Sequence, residues 1–291
     1  MTRRGWYERK EIQKVTTDWV KMNCGSLTKR EIELLQIIHD RKLVRRDHLE
    51  VISPSYRYIE KNRTQIINRA IGKLFTKLCI DKVHEEQKIG RGSLPCIVAI
   101  DKAGAIVLDV PHRRRITHEK RIIKGETYTF RQLPNYTRHV NGINKVEVDT
   151  INICEESGGK ILSWRHEYGR SFKWENEKIT LIPDVVATIE INGNPFDFYI
   201  EYDTGTEDRR GSKKFPTIKK KILKYKAWEQ SDLWQKDFNK FPTILFITED
   251  KSNKGSRIKY FNKKCEEMGL DGYGIYHESY TNFFKSLVQM V

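Results

Sequence analysis

IPDVVATIEINGNPFDFYIEYDTGTEDRR, residues 182–210, holds two apolar runs on either side of Asn192 and Gly193. Asn-Gly between β-branched and aromatic runs is a tight-turn signal, so the stretch predicts a β-hairpin. Its strands lie in the longer segments KITLIPDVVATIEI, 178–191, and PFDFYIEYDTG, 195–205. Both carry acids that a purely structural strand does not need. Side chains alternate along a strand, so Asp197, Tyr199, Glu201 and Asp203 share one face, while Phe196, Phe198 and Ile200 line the other. Asp184 heads the preceding strand and comes near Glu201 when the two strands pair.

The flanking sequence extends the hairpin into a layered domain. A helix is predicted over 136–156, a strand over 160–168 (KILSWRHEY), then the two hairpin strands and a helix from Pro216 to Ser231. PTILFITE (242–249), GSRIKYFNKKCEEMG (255–269), YGIYH (273–277) and a closing stretch read as strand, helix, strand and helix. The order predicts an α/β, or α+β, fold with a mixed sheet and flanking helices over 133–291.

At 100° per residue, His139, Ile143, Thr150, Ile151 and Cys154 share the packing face of the first of these helices, and Glu147 falls among them. A carboxylate on a packing face is costly unless a positive charge meets it. Glu147, Asp184 and Glu201 are therefore expected to hold a hydrated hard cation. Few carboxylates, with water and phosphate completing an octahedron, describe Mg²⁺ or Mn²⁺.

The amino-terminal half has a different character. Residues 1–131 hold 29 Lys and Arg against 16 Asp and Glu, a net of +13, while 132–291 hold 25 against 23, a net of +2. A positive field concentrated in one half points to a polyanionic partner, nucleic acid ahead of a membrane surface. After a polar leader, 1–25, the segment 26–44 offers Ser26 and Thr28 as N-caps, with Glu31 at capping-box spacing from Thr28 and Ile32, Leu35 and Ile38 recurring at helical intervals. A short second helix begins at Arg45 and Arg46 and ends before Pro54. A third, NRTQIINRAIGKLFTKLCI (62–80), buries Ile67, Ala70, Ile71, Leu74 and Leu78. KVHEEQKIG and LPCIVAI around GRGS then read as a hairpin with Arg91 at its tip.

Three short helices and a hairpin predict a winged helix-turn-helix over 26–110, a module that serves either DNA or protein partners. The basic excess favours DNA, expected as duplex. The third helix would enter the major groove. Asn62, Arg63, Gln65, Asn68 and Arg69 can read base edges, and Arg45, Arg46, Lys73 and Arg91 can meet phosphates. Residues 111–132, with Arg113, Arg114 and Arg115, form a basic linker that is either a second phosphate-contacting element or a plain connection. A DNA site with two-fold symmetry would imply a homodimer.

Composition limits the alternatives. With 38% hydrophobic residues, 6 Trp and 13 Tyr, the 291 residues can fill two cores. No stretch approaches about 18 apolar residues, and MTRRGWYERK carries charge where a signal peptide is apolar, so a cytoplasmic protein without membrane association is expected. The five cysteines are scattered and never paired as CxxC, which supports neither disulfides nor a zinc knuckle. GRGSLP follows the wrong elements for a phosphate-binding glycine loop.

Pro183-Asp184, a sixteen-residue gap and Glu201-Tyr202-Asp203, set in this helix and strand order, resemble the PD-(D/E)xK nuclease superfamily. WRHEY, LIPD, IEYDTGTE and KILKY, preceded by the winged helix and IVAIDKAGAIVL, resemble the replication-relaxation family of plasmids and other mobile elements. The resemblance implies metal-dependent phosphodiester cleavage, with Asp184, Glu201, Asp203 and a lysine as the catalytic set and the replication or transfer machinery as further partners. The superfamily's lysine two residues after the acid is Asp203 here. On PTIKKKILKYKAW, Ile218, Ile222, Tyr225 and Trp228 mark the buried stripe, and Lys221 lies within it, so Lys221 is the expected replacement. Glu167 matches a family motif and would be an outer ligand. Tyr168, Tyr199 and Tyr225 have the residue type of a covalent nucleophile and nothing more. The competing reading is a non-catalytic DNA-binding accessory or regulator with a degenerate nuclease fold.

Overall fold

Thr28 opens the first unit's main helix with the reciprocal hydrogen bonds its spacing predicts. Its hydroxyl accepts from the Glu31 backbone at 3.3 Å, and its own backbone N–H donates to the Glu31 carboxylate at 2.7 Å. The computed structural model describes the backbone of residues 14–84, 94–123, 126–205, 218–249 and 255–290. The chain divides into two compact units, Met1–Asn144 and Lys145–Val291.

In the first unit, α1 (Thr17–Cys24), α2 (Lys29–Arg41), α3 (Arg46–Ile52), α4 (Pro54–Arg57) and α5 (Arg63–Thr76) precede β2 (Ile80–Val83) and β3 (Ile97–Ile100). A two-residue strand, β1 (Val44–Arg45), joins them in an antiparallel sheet of order β1-β3-β2. Leu34, Leu35 and Ile38 of α2, Leu49 of α3 and Ile67, Ile71 and Leu74 of α5 are buried. A short helix, α6 (Lys102–Val107), follows the sheet. There a Cβ on Gly104 would stand 2.1 Å from the Cys79 carbonyl oxygen, so the backbones approach only because the residue is glycine.

Four expectations change here. The second half of the polar leader is α1, whose Val20 and Cys24 are buried, because both project to one side of an amphipathic helix. Ile32 is 41% exposed; the buried stripe of α2 runs through Leu34, Leu35 and Ile38 instead. The basic linker contains an antiparallel ribbon, β4 (Thr117–Ile123) with β5 (Glu126–Gln132). Asp81 of β2 anchors that ribbon by accepting from His118 Nε2 at 2.5 Å and Arg131 Nε at 2.8 Å. The unit boundary falls after Asn144 rather than at 132, because Val140 packs with Leu43, Val83, Ile97, Ala99 and Ile116 and Asn144 donates to the Leu43 carbonyl at 2.8 Å.

The helix α7 (Thr137–Ser157) continues into the second unit. A five-stranded mixed sheet follows, of order β12-β11-β10-β9-β6. Its strands are β6 (Lys160–His166), β9 (Val185–Ile191), β10 (Asn194–Asp203), β11 (Thr243–Thr248) and β12 (Gly272–Tyr276). β6, β9 and β10 are antiparallel neighbours; β10, β11 and β12 run parallel. The β9–β10 turn is Asn192-Gly193, with φ of 50° and 80°, the left-handed pair that a two-residue hairpin requires.

The predicted strand 178–191 is two strands. Ile182, Pro183 and Asp184 interrupt it, and β8 (Glu177–Leu181) pairs with β7 (Arg170–Trp174) in a separate ribbon. Proline cannot donate to a ladder, which accounts for the break. The turn of this ribbon, Glu175-Asn176, has φ of 48° and 67°, so two residues other than glycine do the work of the hairpin signal.

The helices α8 (Ile218–Gln230) and α9 (Ser256–Glu267) cover the sheet face that carries Tyr199 and Phe246. Tyr199 and Tyr225 rings lie 5.4 Å apart, and Phe246 stacks on Phe261 at 4.9 Å. The other face carries Phe198, which meets Phe284 of α10 (Tyr280–Met290) at 5.9 Å, while Thr150 of α7 and Tyr280 hydrogen-bond at 2.7 Å.

Candidate functional site

The sheet register decides which acids meet. Val185 of β9 is opposite Ile200 of β10, so the next step along the hairpin sets Asp184 against Glu201. Both acids lie on the α8 side, since Glu201 shares the face of Tyr199 and is opposite Phe246 in β11. Glu201 is 2% exposed. Its Oε2 accepts from Lys221 Nζ at 2.8 Å and its Oε1 from the Tyr225 hydroxyl at 2.7 Å. Lys221 and Tyr225 are four residues apart on α8 and therefore face the same way. The carboxylate of Asp184 is held by the Tyr202 backbone N–H at 2.8 Å.

Burial raises the Glu201 pKa, the charge of Asp184 raises it further, and the Lys221 ammonium works against both; the carboxyl is pushed up to about 7. Burial and the Glu201 charge together hold Tyr225 well above its ordinary range, so it remains a hydrogen-bond donor. The site thus contains two neighbouring carboxylates, one of them poorly solvated, beside Lys221. Such a pair favours an added cation.

Asp203 shares the face of Glu201, as the strand period predicts, but its carboxylate is already engaged. Arg257 of α9 clamps it through Nε at 2.6 Å and Nη2 at 2.9 Å, and the Thr248 hydroxyl adds a third bond at 3.0 Å. With the carboxylate 1% exposed in its side chain, this is a buried structural ion pair. Sequence periodicity identified the face of Asp203 but could not show that α9 places an arginine against it.

Glu147 is on the wrong side of the sheet for a ligand shared with Asp184. His166 of β6 is opposite Val185, which places it on the Ile200 face, and Glu147 Oε2 stands 3.5 Å from His166 Nε2. Periodicity correctly put Glu147 on the packing face of α7 (3% exposed), but the partner there is a histidine. Among the described residues, no three His, Cys, Asp or Glu side chains form a group able to hold a metal ion. The Glu147 face also carries a network that the sequence did not reveal. The Tyr202 hydroxyl donates to Glu249 at 2.5 Å and meets His277 Nδ1 at 2.7 Å, with Asp149 3.4 Å from the other ring nitrogen. Glu167 donates its backbone N–H to the Asp184 carbonyl at 3.0 Å and is itself exposed.

The residues expected to meet DNA separate into two groups. Asn62, Gln65, Asn68, Arg69, Arg113 and Arg114 are exposed, and Arg63 and Arg115 partly so. Asn62 is the residue before α5, at φ 57° and without a side-chain cap bond. Others are committed within the unit. Lys73 Nζ bonds Glu31 at 2.8 Å and the Ser26 carbonyl at 3.1 Å; Arg45 pairs with Asp47 at 2.8 Å, and Arg46 pairs with Glu50. Arg63 Nε donates to the Ile59 carbonyl at 3.1 Å. Arg91 lies outside the described residues.

The replication-relaxation family model matches residues 35–244, and the chain belongs to that family. No curated protein matches it significantly. Among solved structures, protein VC1899 from Vibrio cholerae gives 11% identity and a TM-score of 0.31 over 95% of this chain and 57% of that one. Restriction endonuclease FokI gives 10% identity and a TM-score of 0.29 over 89% and 70%. Likenesses at these scores bear on neither fold nor function. No helix among the described residues is long and apolar enough to cross a membrane.

Proposed function

We propose that this protein acts on the DNA of a plasmid or other mobile element in replication, relaxation or transfer. In this reading a winged helix docks on the duplex and a PD-(D/E)xK-type domain nicks it. One observation carries the catalytic part: Asp184, Glu201 and Lys221 meet on one face of the sheet, although the lysine comes from α8 rather than from the strand. That is the set of charges that phosphodiester hydrolysis needs, two carboxylates and one ammonium.

The donor set suits Mg²⁺ or Mn²⁺, because Glu201 is kept from ionising freely by burial and by the Asp184 charge, and a divalent cation would relieve both. Asp184 and Glu201 would hold it, with water and phosphate oxygens as the remaining ligands. When bound, such an ion supplies Lewis-acid polarisation of the phosphate and a lowered pKa for bound water. Tyr225 and Lys221 fix the Glu201 carboxylate in one orientation, and the Lys221 ammonium offsets negative charge developing on the phosphate.

Support for the winged helix comes from the order α2, α3, α5 and then the β2–β3 pair, with α5 offering Gln65, Asn68 and Arg69 outward. The family match ties the reading to replication and relaxation. A second reading, a DNA-binding accessory without cleavage, is favoured by the Asp203–Arg257 pair, which occupies the superfamily's usual lysine position with a structural salt bridge. The test is incubation of supercoiled plasmid carrying the element's origin with Mg²⁺ or Mn²⁺. Metal-dependent open circles support the first reading; mobility shifts without any cut support the second.

A further inference from the structure

Three arginine and tyrosine side chains form a stack where β6 leads into β7. The Arg165 guanidinium lies 4.0 Å from the centre of the Tyr168 ring, and the Arg170 guanidinium 4.1 Å from the same centre. The two arginines differ in what else they do. Arg170 binds Asp237 through Nε at 3.2 Å and Nη2 at 2.7 Å, which satisfies one edge of its fork. Among the described residues, the buried Arg165 Nε has no hydrogen-bond partner. A buried N–H without an acceptor is unfavourable, so stacking on Tyr168 is what holds the guanidinium in this place.

Register places this group beside the acids. Arg165 is opposite Val186, and Asp184 is two residues before Val186 on the same strand face. The guanidinium lies over Tyr168, and between the two in sequence the Glu167 N–H is bonded to the Asp184 carbonyl. Tyr168 itself borders Pro183, Tyr199 and Trp228 on the α8 side. Arg165 is therefore a cation on the face and at the end of the sheet where Asp184 and Glu201 converge.

We infer that Arg165 binds a non-bridging oxygen of the DNA phosphodiester presented to Asp184, Glu201 and Lys221, with Tyr168 acting as the platform that holds its guanidinium flat. The inference rests on the nuclease reading for the chemistry but not for the contact with phosphate. A planar fork stacked on an aromatic ring is preorganised for bidentate phosphate binding in a way that lysine is not. The stacking also holds the guanidinium near the acids where, among the described residues, no carboxylate pairs with it. A phosphate would meet the terminal Nη groups of this half-buried guanidinium rather than its buried Nε–H.

Two measurements on the full chain test this separately. First, phenylglyoxal modification of Arg165 is mapped by peptide mass spectrometry with and without duplex DNA. Modification without DNA and protection with it are expected; equal modification in both, or no reaction in either, overturns the inference. Second, plasmid nicking with Mn²⁺ is compared at saturating DNA for the wild type, Arg165→Ala and Arg165→Lys. Loss of one oxyanion donor predicts a rate lower by about 100-fold for Arg165→Ala, with little recovery in Arg165→Lys and a gel-shift affinity within about threefold of wild type. An undiminished rate in Arg165→Ala overturns it. A wild-type protein that never nicks sinks the proposed catalysis, while the protection experiment still decides whether Arg165 meets phosphate.

Discussion

Tyr225 donates its hydroxyl to Glu201 Oε1 at 2.7 Å, one helical turn from the Lys221 ammonium on Oε2. This bond lowers the Glu201 pKa against the larger effect of burial. Tyr225→Phe should therefore move the acid limb of the pH–rate profile to higher pH, with DNA affinity unchanged. An unfilled acceptor on a buried carboxylate should also cost about 1–3 kcal/mol of stability by urea titration. A profile that does not move would remove Tyr225 from the site.

The raised pKa has a definite sign for stability. Glu201 binds its proton up to about pH 7 in the folded chain and only to 4.5 when free. The folded state holds more protons in that window, so the Glu201 contribution falls as pH rises from 4.5 to 7. Glu201→Gln should flatten that part of the curve of unfolding free energy against pH. Asp184→Asn, which removes the repelling charge, should lower the Glu201 pKa and reduce the slope. Slopes identical to wild type in both variants would contradict the assignment.

Asp203 is predicted to be structural. Removing Arg257 by Arg257→Leu leaves a buried carboxylate without its partner, a loss of about 3–5 kcal/mol in comparable pairs. Replacing both, as Asp203→Asn with Arg257→Leu, should recover part of it. A loss under about 1 kcal/mol would show that the pair contributes little.

These acids show how far the sequence could be read. Alternation along 195–205 put Glu201 and Asp203 on one face, and the Asn192-Gly193 turn brought Asp184 opposite Glu201, because both depend only on local geometry. Lys221 was legible from the buried stripe of α8. Glu147 was placed on the packing side of α7, but nothing local says which face of the sheet that helix covers, and its neighbour is His166. Arg257, 54 residues from Asp203, left no local signal, because their contact exists only after α9 docks on the sheet. The β7–β8 turn was missed because Glu175 and Asn176 adopt left-handed backbone without glycine.

Lys73 and Arg69 should behave differently in the first unit. Lys73 is bound to Glu31, so Lys73→Ala should lower stability and leave the salt dependence of DNA binding nearly unchanged. Arg69 and Arg113 are exposed, and each alanine variant should reduce the slope of log affinity against log salt by about 0.9 for a lost phosphate contact. Filter binding across a range of salt concentrations distinguishes the two. A Lys73→Ala slope that falls like that of Arg69→Ala would put Lys73 on the DNA.

The convergence of Asp184, Glu201 and Lys221 is tested most directly by single-strand cleavage of supercoiled plasmid bearing the element's origin, in Mn²⁺. Wild type, Asp184→Asn and Lys221→Ala should be compared at equal DNA occupancy by gel shift. Metal-dependent open circles are expected from wild type, with at least a 100-fold loss in each variant at unchanged affinity. Wild-type protein that shifts the plasmid but never opens it, or cleavage that survives in Asp184→Asn, would contradict it.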